Sequence, residues 1–340
     1  MNSTAAQGAP AFDHLDRLTD HRGLFEHALH SVPRVEHGYC VDDVARGLVV
    51  VCREPDPTFT VRRLQRLYLD FTLAALSDDG AVHNRMGADG SWTDQPGLGD
   101  WWGRALWGLG TAAAHAPASM RARALQGFHT AAQQRSTHGR ALAFAALGAG
   151  ELLAHHPDDA IARALLTDTV RGIGSPGEQP AWPWPEPRLR YANGAVVEAL
   201  LLAGAYLPDR GVLDRGLGLL SFLLRTETQH EHLSVSGVGG RGPEDVAPVY
   251  DQQPIEVAAL ADACARAYDL TAEPRWLDGV RMAWQWFLGN NDTGVAMLDP
   301  ATGAGFDGLQ PLGRNLNQGA ESTLAMLSTA QQARRLAVSG

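Results

Sequence analysis

Residues Gly38–Val51 read GYCVDDVARGLVVV, two adjacent aspartates set directly before an aliphatic run. An aspartate at a helix start accepts a hydrogen bond from a free backbone N–H and complements the positive end of the helix dipole. One aspartate suffices for that task. The other is free to face a pocket, so the reading of Asp42 and Asp43 turns on whether the motif stands alone.

It recurs in kind five times. A loop rich in Gly, Trp, Pro, Asn or Gln ends in acidic or amide residues and runs into a helix of small residues. The later copies are GLGDWWGRALWGLG (Gly97–Gly110), RSTHGRALAFAALGAGELL (Arg135–Leu153), WPWPEPRLRYANGAVVEALLLAG (Trp182–Gly204), VYDQQPIEVAALADAC (Val249–Cys264) and NLNQGAESTLAMLSTA (Asn315–Ala330). The starts lie roughly 40–65 residues apart, room for two helices and two loops each.

Two kinds of helix alternate. Segments 61–76, 118–134, 159–170, 212–224 and 276–288 carry their arginines and acids on one face, the pattern of helices with a solvated side. The segments after the motifs, such as ALAFAALGAGELLA, are apolar nearly all round, as in helices buried on every side. Strand signals are confined to short runs such as HLSVSG and TGVAML. Six buried helices alternating with six amphipathic ones predict an all-α (α/α)6 toroid, an inner ring wrapped by an outer one, with minor β-hairpins in its loops. Residues 16–336 are expected to form this single domain, with residues 1–15 loosely attached. The inner-helix starts would then converge and build a pocket from unpaired N–H groups, acids and amides.

Composition narrows the chemistry. The 340 residues are 45% hydrophobic with a formal net charge of -10, which argues against nucleic-acid or anionic-membrane partners. The chain contains no lysine, so Schiff-base chemistry, pyridoxal phosphate attachment and a P-loop are excluded. Three scattered cysteines, Cys40, Cys52 and Cys264, read as free thiols. No HExxH, CxxC or EF-hand string occurs, so no metal and no cofactor is expected. MNSTAAQGAP lacks the marks of a signal peptide and no run reaches membrane-span length, which predicts a cytoplasmic protein.

VDDVARGL, GDWWGRALWGLG, YANGAVVEALLLAG, DQQPIEVAAL, WFLGNNDTGVAMLDPATGAGFDGL and NLNQGAESTLA together resemble a family of six-hairpin, (α/α)6-type carbohydrate proteins. Its members occur alone or joined to glycosyltransferase domains and often carry that label. The resemblance spans about residues 20–330. It implies the toroid, a carbohydrate context and a functional association with a glycosyltransferase. The family pattern DDNAR departs here at Val44, which removes one amide but leaves Asp42, Asp43 and Arg46.

Rings beside carboxylates suit a sugar, whose C–H faces stack on aromatics while its hydroxyls take polar partners. Asp43 and Asp100 are the expected catalytic acid and base, with Asp251 assisting. Asp43 is preferred over Asp42 as the inward-facing aspartate. Expected substrate contacts are Asp42, Trp101, Trp102, Arg104, His138, Trp182, Trp184, Glu186, Tyr191, Asn193, Gln252, Gln253, Glu256, Asn317, Gln318 and Glu321. For Glu256 and Glu321, buried pairing competes with substrate contact. GVGGRG (Gly237–Gly242) reads as a flexible loop suited to a lid. The leading expectation is a glycoside hydrolase acting on an oligosaccharide or glycoside. A sugar epimerase or isomerase, which needs bases on both sides of a carbon, and a glycan-binding or glycosyltransferase-accessory module are the alternatives.

Overall fold

The six motif-bearing segments form six helices: α2 (Val41–Cys52), α4 (Asp100–His115), α6 (Gly139–His155), α8 (Asn193–Tyr206), α10 (Pro254–Thr271) and α12 (Ala320–Arg335). In the computed structural model, which describes residues 11–338, each packs on the next and α12 packs back on α2, closing a ring. Outside it lie α3 (Phe59–Ala74), α5 (Ala118–Ala131), α7 (Ala160–Ile173), α9 (Arg210–Thr226) and α11 (Pro274–Leu288). This is the (α/α)6 toroid. The sixth outer position holds only the five-residue α1 (Asp13–Arg17), whose His14 bonds the Gln318 carbonyl at 2.9 Å beside α12. Residues 1–10 of the segment expected to be loose lie outside the described residues. Within the rest of that segment, Phe12, His14 and Leu15 are buried. No described helix is long and apolar enough to cross a membrane.

Small residues let the inner helices approach closely. A methyl group added at Gly103 would collide with the Ala141 carbonyl, one at Gly110 with the Gly148 carbonyl, and one at Gly148 with the Leu106 carbonyl. These three glycines run along the α4–α6 contact and set its spacing. Gly194 meets the Ala259 carbonyl in the same way between α8 and α10.

Among the described residues, five two-stranded ribbons decorate the loops: β1–β2 (Ala28–Leu29, Val32–Pro33), β3–β4 (Tyr39–Cys40, Arg85–Met86), β5–β6 (Thr228–Gln229, His232–Leu233), β7–β8 (Leu298–Asp299, Ala304–Gly305) and β9–β10 (Gly308–Gln310, Gly313–Asn315). Both short runs read as local pairings, HLSVSG and TGVAML, contribute to ribbons. At the end of the ring where inner-helix C-termini gather, Arg53 pairs with Asp262 at 3.1 Å, and Arg266 with Glu151 at 2.7 Å and Glu198 at 3.3 Å. Cations belong there, since the helix dipoles point their negative ends at that face.

Gly148→Ala is expected to lower the Tm measurably, because overpacking against a fixed backbone carbonyl costs about 1–3 kcal/mol. Gly218→Ala, in exposed α9 with open space around an added methyl, should leave Tm unchanged or raise it. Equal effects of the two substitutions in thermal denaturation would refute the close-packing account.

Candidate functional site

Among the described residues, none of the six inner helices has a side-chain hydrogen bond from its own N-cap residue. Three outer helices are capped in the ordinary way, by Thr58, Asp159 and Asp209. The N-cap of α2 is Cys40, so Asp42 and Asp43 lie inside the first turn and neither is a cap. The inner-helix starts converge on a cleft with two lobes. A deep lobe of about 540 Å³ lies over α2, α4, α10 and α12. A wider lobe of about 960 Å³ lies over α4, α6 and α8. Asp100, Trp101, Tyr191 and Val238 line both and mark their junction.

In the deep lobe one arginine serves two carboxylates. Arg46 donates from Nη1 to Glu321 Oε2 at 2.6 Å and from Nη2 to Asp43 Oδ1, and its Nε reaches the Asp42 carbonyl at 3.2 Å. Burial works upward on Glu321, but Arg46 and Arg104 outweigh it and hold the carboxyl below its ordinary range. Glu321 lies far below the outer surface yet keeps 40% of its side chain open to the cleft. Asp43 is the deeper partner. Burial pushes it up to about 7, Arg46 pulls it back, and the carboxylates of Glu321, Glu26 and Asp42 add to the rise. With a single guanidinium between two acids, the more buried acid takes the proton.

Asp42 is the more open of the pair, its side chain 23% exposed against 3% for Asp43. Its Oδ1 stands 3.1 Å from Arg104 Nε without hydrogen-bond alignment. Arg104 is buried, packs its guanidinium 4.3 Å from the Phe144 ring centre, and leaves Nε and Nη1 without partners among the described residues. Asp100, one turn before Arg104 on the same face of α4, has a carboxyl that burial raises, Arg104 pulls back and Asp42 raises further. Asp251 and Gln253 enter the deep lobe from the start of α10.

The wide lobe holds Trp101, His138, Glu186 and Tyr191. Trp101 anchors its ring by donating Nε1–H to the Val82 carbonyl at 2.7 Å. Arg140 donates to Glu186 at 2.8 Å, to Asn193 Oδ1 at 3.1 Å and to the Tyr191 carbonyl at 2.7 Å, tying the lobe to α8. Burial opposes it, but the Arg140 and Trp184 hydrogen bonds hold the Glu186 carboxyl below its usual range. GVGGRG borders this lobe through Val238–Gly240. It is pinned by paired hydrogen bonds between Leu189 and Arg241 and by Val238 N–H to the Asp251 carbonyl at 3.0 Å.

Eight expected substrate contacts do not line the cleft. Trp102 follows Trp101 by one residue, so the helix turns it into the core, where its Nε1 bonds the Ala131 carbonyl at 3.1 Å. Trp182 and Trp184 are buried and donate to the Glu186 carbonyl and carboxylate at 2.9 and 3.3 Å, so they hold Glu186. Asn193 and Glu256 are a buried clasp. The Glu256 carboxylate accepts from the Ala192 N–H, the Asn193 N–H at 3.3 Å and Asn193 Nδ2 at 3.0 Å, satisfying the start of α8. Gln252 is buried, donating to Asp292 at 2.6 Å and accepting from Trp286 Nε1 at 3.3 Å. Gln318 bonds Asp299 at 3.0 Å, and Asn317 accepts from the His30 N–H at 3.0 Å.

Asn84, Asp307, Glu26 and Arg85 are among the deep-lobe residues that went unread in the sequence. Asn84 accepts the Val41 and Asp42 N–H groups at 2.9 and 3.4 Å, and Asp307 accepts the Gly319 N–H at 2.7 Å and the Ser322 hydroxyl at 2.6 Å. Both stand in for caps from distant loops. Glu26 pairs with Arg85, which the β3–β4 ribbon brings beside α2. Glu26, Cys40 and Asp43 place ligand-type atoms within 4.8 Å of one another. Arg85 and Arg46 already occupy the two carboxylates, and burial raises the Cys40 thiol far from its thiolate form. That donor set suits a divalent cation poorly.

No family model and no curated protein sequence matches the chain. Solved structures with the same toroid do. A sugar epimerase from a ruminal bacterium is 10% identical, covers 96% of each chain and superposes with a TM-score of 0.73. D-mannose isomerase is 9% identical over 96% of this chain and 95% of its own, with a TM-score of 0.70. An inactive variant of a Salegentibacter α-1,6-mannanase, with two adjacent aspartates changed to asparagine and α-1,6-mannotriose bound, is 9% identical over 95% and 98%, with a TM-score of 0.63. At these identities the likeness carries the fold.

The Asp43 environment has a consequence for stability. Its folded-state value lies above the ordinary carboxylate range, so the folded protein holds this proton more tightly than the unfolded chain. The stability it contributes is complete below the ordinary range and is lost as pH rises to about 7. The Tm of Asp43→Asn relative to wild type should therefore climb between acid pH and pH 7. A pH-independent difference would contradict the assignment.

Proposed function

We propose that the chain is a glycoside hydrolase in which Asp100 protonates the glycosidic oxygen while Asp42 acts on the anomeric side. The observation that carries this reading is the Asp100 carboxyl. It has no hydrogen-bond partner among the described residues, is raised by burial, and sits at the junction of the two lobes with Asp42 near it across Arg104. A carboxyl raised by burial beside a second carboxylate near an arginine is the division of labour that glycoside cleavage requires.

The bond from the anomeric carbon to the bridging oxygen breaks as that oxygen takes the Asp100 proton. Water adds to the anomeric carbon and its proton passes to a carboxylate, so the balance is one water consumed and two saccharides released. Asp42 replaces Asp43 in this role because of access. Asp43, closed off and clasped by Arg46, sets the position of Arg46 and the α2 start. Arg104 lines the deep lobe beside Asp42, and Trp101 and Tyr191 offer faces at the junction. Asp251 stays an assisting carboxylate on the α10 side. A glycosyltransferase partner, implied by the family resemblance, fits a trimming role for the hydrolase.

Epimerases and an isomerase stand among the solved structures with this fold, which keeps ring-carbon proton transfer as the second reading. That chemistry asks for bases on both sides of a carbon, and the cleft histidines, His27 and His138, are both exposed at its border. The carboxylates favour bond cleavage.

Asp100→Asn and Asp42→Asn should each lower kcat/KM on gluco- or manno-oligosaccharides by about 10²–10⁴-fold, the usual weight of acid–base groups, with Tm little changed. Product analysis separates the readings. New reducing ends support hydrolysis, whereas an epimer or ketose of unchanged chain length, or full turnover by both variants, overturns it.

A further inference from the structure

The far wall of the deep lobe decides which part of a saccharide can enter. On the side opposite the junction, behind the lining residues Glu26 and His27, the seam between α12 and α2 is bridged by the segment that precedes α2. The Ala320 N–H bonds the Glu26 carbonyl at 3.0 Å, the Gln318 N–H bonds the His30 carbonyl at 2.9 Å, and the His30 N–H bonds Asn317 Oδ1 at 3.0 Å. The Glu26–Arg85 ion pair locks this segment to the β3–β4 ribbon. The floor is the Asp43–Arg46–Glu321 cluster with Arg104 beside it. The remaining side meets the wide lobe through Asp100, Trp101, Tyr191 and Val238.

We infer that the cleft takes the non-reducing end of a saccharide chain and removes one neutral terminal unit at a time. This rests on the hydrolase reading above for its chemistry and on the bridged wall for its geometry. A chain cut at an interior bond needs room on both sides of the acid. Here the wide lobe receives the chain, and the deep lobe receives only the unit that ends it. The direction follows from the two carboxyls. Asp42 lines the deep lobe alone, so the sugar whose anomeric carbon accepts water lies there, and Asp100 at the junction protonates the oxygen that leaves with the chain in the wide lobe. Charge selects the unit. Seven carboxyl groups and three arginines line the deep lobe, so a uronate or phosphorylated terminus meets like charge and an uncharged sugar does not.

Gluco- and manno-oligosaccharides from disaccharide to hexasaccharide, labelled at the reducing end, provide the test. A time course should show labelled products shortening one unit at a time, with free monosaccharide from the first point. In binding measurements with Asp100→Asn, and in parallel with Asp42→Asn, a cyclic acetal bridging two hydroxyls of the non-reducing terminal sugar should weaken binding at least about tenfold. Arg85→Ala, which removes the ion pair that holds Glu26 and leaves Asp42 and Asp100 in place, should recover part of that loss. Mid-length labelled fragments at early times, or undiminished binding of blocked chains, would overturn the chain-end inference and leave the hydrolase reading intact. End-dependent binding without cleavage would sustain the chain-end seating and overturn the hydrolase reading together with stepwise removal. Neither binding nor cleavage of any chain would overturn both.

Discussion

Six helix N-termini without caps of their own, drawn to one mouth, are the constraint on which the structure depends. Each brings N–H groups that need acceptors and a dipole end that attracts negative charge. The close glycine-mediated spacing of α4 against α6 and of α8 against α10 keeps the mouth narrow, so acceptors from neighbouring elements can reach these groups. Glu256 reaches from α10 to the start of α8, Asp307 from a ribbon to the start of α12, and Asn84 from a loop to the start of α2. The carboxylates left over face the cleft. Three arginines among them, Arg46, Arg85 and Arg104, limit the charge accumulated in the deep lobe. The opposite face obeys the same rule with reversed sign, through Arg53 and Arg266.

Much of this was legible in the sequence, because buried helices need apolar, small-residue surfaces on every side and outer helices need one polar face. Those demands write periodicity into the chain, and the alternation of the two patterns named the toroid. The side chains of the cleft were only partly legible. Asp100 and Arg104 are four residues apart, share a face, and both reach the cleft. Trp101 and Trp102 are adjacent, so the helix sends one to the junction and the other to the core. Asp42 and Asp43 pose the same problem with a finer outcome: both line the deep lobe, but one is open and the other closed by Arg46 three residues on. Trp182 and Trp184 sit in a loop, where no periodicity gives direction, and they turn inward onto Glu186.

Residues supplied by distant segments were the least legible. Glu26 lies ahead of the first motif, Asn84 in a loop, and Arg85 next to it in a short ribbon that pairs with the entry to α2. Nothing local distinguishes them from ordinary loop residues. Their placement follows from tertiary pairing, and that pairing builds the wall of the deep lobe. The short α1 is a related case. Five residues are too few for a periodic signal, yet Phe12 and Leu15 fill the position that a full outer helix holds elsewhere.

The solved structures that share this toroid include enzymes that isomerise or epimerise sugars and enzymes that cleave glycans, so the fold leaves the reaction to the groups at its mouth. The most direct measurement is the structure of the Asp100→Asn protein with a gluco- or manno-oligosaccharide it binds. The account predicts one sugar ring in the deep lobe against Asp42 and Arg104, the next at Trp101 and Tyr191, and the linking oxygen beside residue 100. A saccharide seated away from the inner-helix starts, or one crossing the deep lobe with units on both sides, would contradict it.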